Sequence, residues 1–495
     1  MKKDREQWII EQTIEDLQRA MGQGETSAEE LVGIYLERIE KYDAELKSII
    51  EVNPDAISIA RELDEERRLK GPRGPLHGIP IVLKDNIDTH DRLHTSAGSI
   101  ALADSIAAED SAVASALREA GAIFLGKANM TEWANFMSGT MWAGYGSRFG
   151  QTKNPYGLGD TSVEMFVGGS SSGSAVAVAA NLAAASIGTE TAGSIVCPAS
   201  QNCVVGIKPT VGLVSRRGVI PITSSQDTVG PIARTVADAA ILLGAIVCED
   251  ERDAATAGSS KHAYKDYTVF LQADGLKGAR IGIPRYLYNE LDEEQAVIMN
   301  AAISVMEREG AVIVDPVSIP SEAMNWTHEV MRHEFKKGIN DYLSALPDTI
   351  PIHSLSELIA YNEKHADRAL KYGQDTLLWS EETSGTLTEQ AYLDSKAQDI
   401  EYSRKQGIDY VLEQHKLDAL LIPGMYEGTD IPGKAGYPLV TVPAGYIENG
   451  SMKPGLPTKG PLGVVFAGTA FSEPTLIKLA YSFEQATKFR FPPKL

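Results

Sequence analysis

The run Val167 to Ser186, VGGSSSGSAVAVAANLAAAS, constrains this chain more than any other stretch. Glycine and serine pass without a break into alanine and valine, so a loop with unusual backbone freedom feeds a helix whose small residues favour close packing against neighbours. The run is entered from the apolar stretch VEMFV, and ordered elements on both sides argue for a fixed loop rather than a flexible Gly/Ser linker. A phosphate cradle is the second reading. Gly168 to Gly173 satisfies the first half of a P-loop, but Ser174 and Ala175 stand where Lys and Ser/Thr are needed to reach phosphates and Mg²⁺. The third reading is a nucleophile elbow, since Gly169 to Gly173 matches G-x-S-x-G. That motif requires an acid and then a histidine downstream, and none of the later histidines stands in a motif that marks it as a base.

A second loop, GTETAGSIVCPAS from Gly188 to Ser200, repeats the same grammar of Thr, Gly and Ser after an apolar segment. The two loops bracket one helix, so Ser170 and Ser194 can approach each other. A serine is a weak nucleophile until a base takes its proton, and a desolvated lysine can do this where histidine is absent. Lys84 is the candidate. It ends the short apolar run Ile79 to Leu83, which fits a buried strand punctuated by Gly and Pro. No lysine has a serine three positions before it, which excludes the S-x-x-K arrangement.

The rest of the chain supplies a scaffold of alternating elements. Residues 13–43 read as two helices, the second with a capping box at Thr26 and Glu29. DSAVASALREAGAIFLGKANM and GARIGIPRYL each suggest a strand beside a helix, the alternation that builds a sheet covered on both faces. Residues 293–420 are charge-rich and mostly helical, after which GYPLVTVPAGY and LGVVFAGTAF return to strands and SEPTLIKLAYSFEQAT closes on a helix. With 43% hydrophobic and 23% charged residues over 495 positions, this is the balance of a globular protein with a sizeable core. A formal charge of −21 opposes a phosphate backbone, so nucleic acid is not an expected partner. Glu11, Glu15 and Asp16 interrupt any apolar leader at the start, and no membrane-spanning run follows, so the expected location is the cytoplasm. The three cysteines lack zinc-type spacing and read as free thiols. His328 and His333 do not share a helix face, and His90 and His94 lack a third ligand nearby, so no metal is expected.

Taken in order, GIPIVLKDNI, GGSSSGSAVAVAA, GTETAGSIVCPAS and GIKPTVGLVSR resemble the amidase signature hydrolases, and the resemblance extends over nearly the whole chain. It implies an α/β fold with a large mixed central β-sheet covered by helices on both faces. The whole of 1–495 would form one domain, with an N-terminal helical segment at 1–70 and a mostly helical flank at 293–420. It also implies a Ser–cis-Ser–Lys triad without a cofactor: Lys84 as base, Ser170 as bridging serine on a cis peptide, and Ser194 as nucleophile. The backbone N–H groups of Thr191, Ala192 and Gly193, with that of Ser194, match the family's oxyanion hole, and Ser171 supports the network. Lys84 would have to be neutral, with its pKa brought well below about 10.4 by burial and nearby positive potential.

Ser172 and Ala192 stand where glycines are usual in the family, and with Glu190 and SIVCP they resemble the peptide amidase branch, which hydrolyses C-terminal carboxamides of peptides. The expected activity is hydrolysis of a carboxamide to acid and ammonia by a monomer or homodimer. The alternative is the glutaminase component of a tRNA-dependent amidotransferase complex, and a third reading is a triad-bearing scaffold without catalysis. The resemblance also brings the stretch Asn135 to Trp142 to the pocket, with Ser138 and Gly139 as candidate substrate contacts and 293–420 as a roof.

Overall fold

The computed structural model describes residues 2–159, 165–453 and 456–495. Its frame is an eleven-stranded sheet. Across it the strands run Ile49–Val52, Ile123–Ala128, Pro80–Lys84, Ala185–Glu190, Thr228–Ala233, Val205–Lys208, Leu439–Ile447, Gly460–Ala467, Ala419–Pro423, Arg280–Gly282 and Val312–Val314. Pro80–Lys84 lies parallel to both of its neighbours, Ile123–Ala128 and Ala185–Glu190. From Ala185–Glu190 through Ala419–Pro423 the pairing is antiparallel, and the last two strands add in parallel, so the sheet is mixed.

Both faces are covered. Successive side chains of a strand point to opposite sides. In Gly460–Ala467, Val464 and Phe466 join the core that holds Leu476, Ile477, Ala480 and Phe483 of the C-terminal helix Glu473–Thr487. Val465 and Ala467 join a second core with Val196, Val411 and Ile431. Full burial on both faces explains why these strands read as near-continuous apolar runs.

Three local expectations change. The strand Ile49–Val52 interrupts the helical segment expected at 1–70, pairing antiparallel with Ile123–Ala128 at the sheet edge. At four residues between two helices, it is too short for periodicity to reveal. The helix Ala28–Leu46 is capped by Ser27, whose Oγ accepts from the Glu30 N–H, rather than by Thr26. The Asp64 carboxylate takes the N–H groups of Ala28 and Glu29, which sets the helix start one residue later. Within 293–420 the helices Glu293–Arg308, Glu329–Ser344, Leu355–Lys364 and Gln390–Ile400 are joined by strand Val312–Val314 and the start of Ala419–Pro423, so this region extends the sheet as well as flanking it.

The glycine-serine run behaves as its composition demands. Every residue of the helix Ser172–Ala179 is buried. Of its apolar entry, Val163 and Glu164 lie outside the described residues, and Met165 to Val167 are buried without regular structure. Gly173 explains the need for small residues: a Cβ there would stand 2.2 Å from the Ser48 carbonyl oxygen and 2.5 Å from that of Asn129. The obstacle is backbone, which cannot rotate away. Gly173→Ala is expected to destabilise the protein by about 3 kcal/mol or more through overpacking. Calorimetry should record a clear drop in melting temperature, and an unchanged one would contradict this account of the helix.

Candidate active site

Two parallel neighbours, Pro80–Lys84 and Ala185–Glu190, end at the same place, and ligand sites in open α/β sheets form at such strand ends. Lys84 is the last residue of its strand and is fully buried. Its Nζ lies 2.8 Å from Ser170 Oγ, 2.8 Å from Thr189 Oγ1 and 3.1 Å from the Thr189 carbonyl oxygen. Asn86 Nδ2 donates to the same Thr189 hydroxyl at 3.0 Å. Burial brings the Lys84 pKa down to about 7, against the pull of the Asp227 and Glu190 carboxylates. The expected positive potential is therefore corrected: the charges acting on Lys84 are negative and favour its protonated form, and desolvation outweighs them. The next residue, Asp85, points elsewhere, accepting from the N–H groups of Ser96 and Gly98.

The first loop brings Ser170 to the amine. The Gly169–Ser170 peptide is cis. Its carbonyl neighbours are tied down, Gly169 O accepting from Tyr426 Oη at 2.7 Å and Ser170 O from the Thr131 N–H at 3.1 Å. Ser171 sits between the loops: its Oγ donates to the Thr189 carbonyl at 3.1 Å, and its N–H donates to the Ser194 carbonyl at 3.1 Å. Thr189 O thus receives both Lys84 and Ser171. The extra Cβ and hydroxyl of Ser172 are accommodated by a 2.6 Å bond to the Gly168 carbonyl.

The second loop is organised by Glu190. Its carboxylate accepts the N–H groups of Gly193 at 2.8 Å, Ile195 at 2.6 Å and Val196 at 3.0 Å. Asp227 performs a parallel service, accepting from Thr191 Oγ1 at 2.6 Å and from the N–H groups of Ile222 and Thr223. The Gly193 N–H expected in the oxyanion hole is therefore already engaged, while those of Thr191, Ala192 and Ser194 have no acceptor among the described residues. Gly193 has φ +82°, and a Cβ there would meet Tyr426 Cδ1 at 2.8 Å. Ala192 lies outside the left-handed region, so its Cβ carries no such cost. Ser194 is 7% exposed where Ser170 is fully buried, so of these two serines only Ser194 retains any surface open to solvent.

Ser138 and Gly139 stand apart from this cluster. Ser138 Oγ donates to Asp375 Oδ1 at 2.5 Å and lies 2.6 Å from the Tyr372 carbonyl, and the Gly139 N–H faces Asp375 at 3.3 Å. They join the loop after Ile123–Ala128 to the helical flank. Among the described residues no group of three His, Cys, Asp or Glu is placed to hold a metal ion. Cys197, Cys203 and Cys248 are free thiols. Thr189, Glu190, Asn86, Asp227 and Tyr426 were not legible as site residues; only the position of Glu190 inside the second loop hinted at a role.

The amidase family model matches residues 30–477. The chain belongs to the amidase family. It is 42% identical to a probable amidase of Arabidopsis thaliana, over 98% of this chain and 92% of that protein. The native peptide amidase of Stenotrophomonas maltophilia superposes with a TM-score of 0.88 at 43% identity, covering 98% of this chain and 99% of that one. Similarity to a glutamyl-tRNA(Gln) amidotransferase component from Carboxydothermus hydrogenoformans is lower, at 32% over 95% of this chain and 96% of that protein. The amidase is thus a hydrolase of amide bonds with the amidase signature fold. No helix among its described residues is long and apolar enough to cross a membrane.

Glu190→Ala in this amidase would strand three N–H groups in the buried turn that carries Ser194. A loss of about 3 kcal/mol or more is expected, together with a fall in activity. Thermal unfolding checks the first; retention of wild-type stability would mean that the carboxylate is dispensable to the turn.

Proposed function

We propose that this amidase hydrolyses carboxamides to the acid and ammonia through Ser194, Ser170 and Lys84, and that C-terminal amides of peptides are its substrates. The observation that carries the reading is the buried Lys84 amine with a pKa of about 7, within 2.8 Å of Ser170 Oγ. A neutral amine has two N–H donors and one lone pair. Thr189 takes the donors, one on its carbonyl and one on its hydroxyl, which leaves the lone pair for the Ser170 proton. Thr189 thereby orients the base as a third member orients the base in other triads.

The reaction follows. Ser170 passes its proton to Lys84 and takes the proton of Ser194 as Ser194 Oγ bonds to the carbonyl carbon. The carbonyl electron pair moves onto oxygen, where the N–H groups of Thr191, Ala192 and Ser194 stabilise the developing charge, with Gly193 keeping the turn in shape. Reversal of the relay protonates the nitrogen, the C–N bond breaks, and ammonia leaves an acyl-enzyme. Water then attacks the ester with the same relay as base, releasing the acid and restoring Ser194.

Likeness to the peptide amidase of S. maltophilia, at 43% identity, favours peptide amides over the glutaminase role suggested by the 32% relative. The charge of −21 also disfavours a tRNA-bound assembly. The enzyme then acts alone or as a homodimer. Ammonia release should be measured across peptide, aryl and aliphatic amides. Ser194→Ala and Lys84→Met are each expected to lower kcat by about 10⁴-fold or more. Wild-type turnover by Ser194→Ala, or no ammonia from any amide until a partner protein is added, would overturn the reading.

The pH profile has a definite sign. Lys84 works as the neutral amine and is protonated below its pKa, so kcat/KM should rise with pH through about 7 and level off above it. A rate that falls through that range would remove Lys84 as the base.

A further inference from the structure

A cavity of about 280 Å³ opens beside the second loop. One side is Cys197, which follows Ser194 by one turn at the start of the helix Val196–Gln201. Another is Tyr426, whose ring crowds Gly193 and whose hydroxyl holds the Gly169 carbonyl. Phe166, Leu287, Met425 and Leu456 complete walls that are mainly apolar. Phe166 is itself braced edge-on between Trp142 and Tyr426, at 5.8 and 6.1 Å between ring centres. The volume is at the lower limit of about 300–1,000 Å³ typical of small-molecule pockets, which suits one side chain rather than a length of chain.

The charge around this cavity has one sign. Glu290 and Glu427 line it and are both exposed, and among its described lining residues there is no Lys, Arg or His. Among the described residues neither carboxylate is paired with a cation. Of the two, Glu427 acts inward: burial pushes the Cys197 thiol up, and the Glu427 carboxylate adds to that shift, as does Glu190 to a lesser degree. A second cavity beside the turn also has apolar walls, in Val219, Ile220, Ile222 and Leu387, but it carries Arg216, Lys337, Asp227 and Glu334, charges of both signs. The single sign of charge sets the first cavity apart.

We propose that the apolar cavity receives the side chain of the residue whose carboxamide is cleaved, and that Glu290 and Glu427 select apolar and cationic side chains against acidic ones. The inference rests on the carboxamide reading above. With the carbonyl carbon at Ser194 and ammonia departing, the acyl portion leaves past residues that touch the turn, and Cys197, whose N–H donates to the Gly193 carbonyl, and Tyr426, beside Gly193, are two of them and walls of this cavity. Leu287, Met425 and Leu456 then reward apolar bulk by its removal from water. A carboxylate entering the same space would meet two like charges and, among the described lining residues, no cation to compensate them, a repulsive element of the kind that sets specificity.

Four substrates of the form N-acetylglycyl-X-amide test this, with X as Gly, Leu, Lys or Asp and ammonia as the readout. The expected kcat/KM is higher for Leu than for Gly, and higher for Lys than for Asp by at least about tenfold. In the E290Q/E427Q double variant the ratio of Lys to Asp should fall to within about twofold. High salt should shrink it in the unmodified enzyme, because these carboxylates are exposed and screened. Equal turnover of Lys and Asp, or a ratio that survives in the double variant, would overturn the subsite while leaving the amidase reading intact. No ammonia from any of the four, the Gly amide included, would remove the peptide-amide reading and the subsite with it.

Discussion

A primary amine sealed from water at the end of a central strand is the constraint around which the site is built. Lys84 can be accommodated only because every polar valence of its amine finds a partner, in Ser170 Oγ and the two oxygens of Thr189. Desolvation favours the uncharged amine, and it prevails over two carboxylates in the same region. Those carboxylates are themselves occupied. Glu190 is held by three N–H groups and Asp227 by a hydroxyl and two N–H groups, so each spends its charge on backbone that carries the neighbouring loops. The arrangement lets acids shape the site without forcing the amine to stay protonated.

Packing around the serine loops follows from that requirement. The buried Lys84 amine and the hydroxyls of Ser170 and Thr189 meet within hydrogen-bond reach, which brings strand ends, a helix start and a tight turn together with little room for side chains. Hence the fully buried helix Ser172–Ala179, whose glycine at 173 faces two carbonyl oxygens, and hence Gly193 under the ring of Tyr426. Tyr426 links these demands to the neighbouring cavity, since the residue that holds Gly169 O and crowds Gly193 is also one of the walls of that cavity.

Much of this was legible in the linear order of residues, and the parts that were not have physical causes. Lys84 at a strand end, Ser170 and Ser194 in loops bracketing one helix, and buried sheet strands all announce themselves through glycine, serine and apolar runs. The strand Ile49–Val52 escaped because four residues carry no measurable period. The shift of the helix cap from Thr26 to Ser27 depends on Asp64, which is remote in sequence. Thr189 looks like any strand threonine until Lys84 lies beside it, and the Gly193 N–H is diverted by a glutamate whose side chain could have pointed anywhere. Ser138 meets Asp375 across 237 positions of sequence, a contact that no local pattern encodes.

By itself the sequence determined which groups are present and where the chain must bend: two Gly/Ser loops, one lysine at the end of an apolar strand, a family-wide order of motifs, and a strongly acidic balance of charge. These are local properties, set by side-chain size, backbone freedom and charge. Only the tertiary structure decided that Lys84 is wholly dry, that its electrostatic neighbours are acids rather than bases, which N–H groups of the turn are already engaged, and that an apolar cavity rimmed by Glu290 and Glu427 adjoins the turn carrying Ser194. Each of those depends on distance through space, and desolvation and Coulomb energies are functions of that distance rather than of position along the chain.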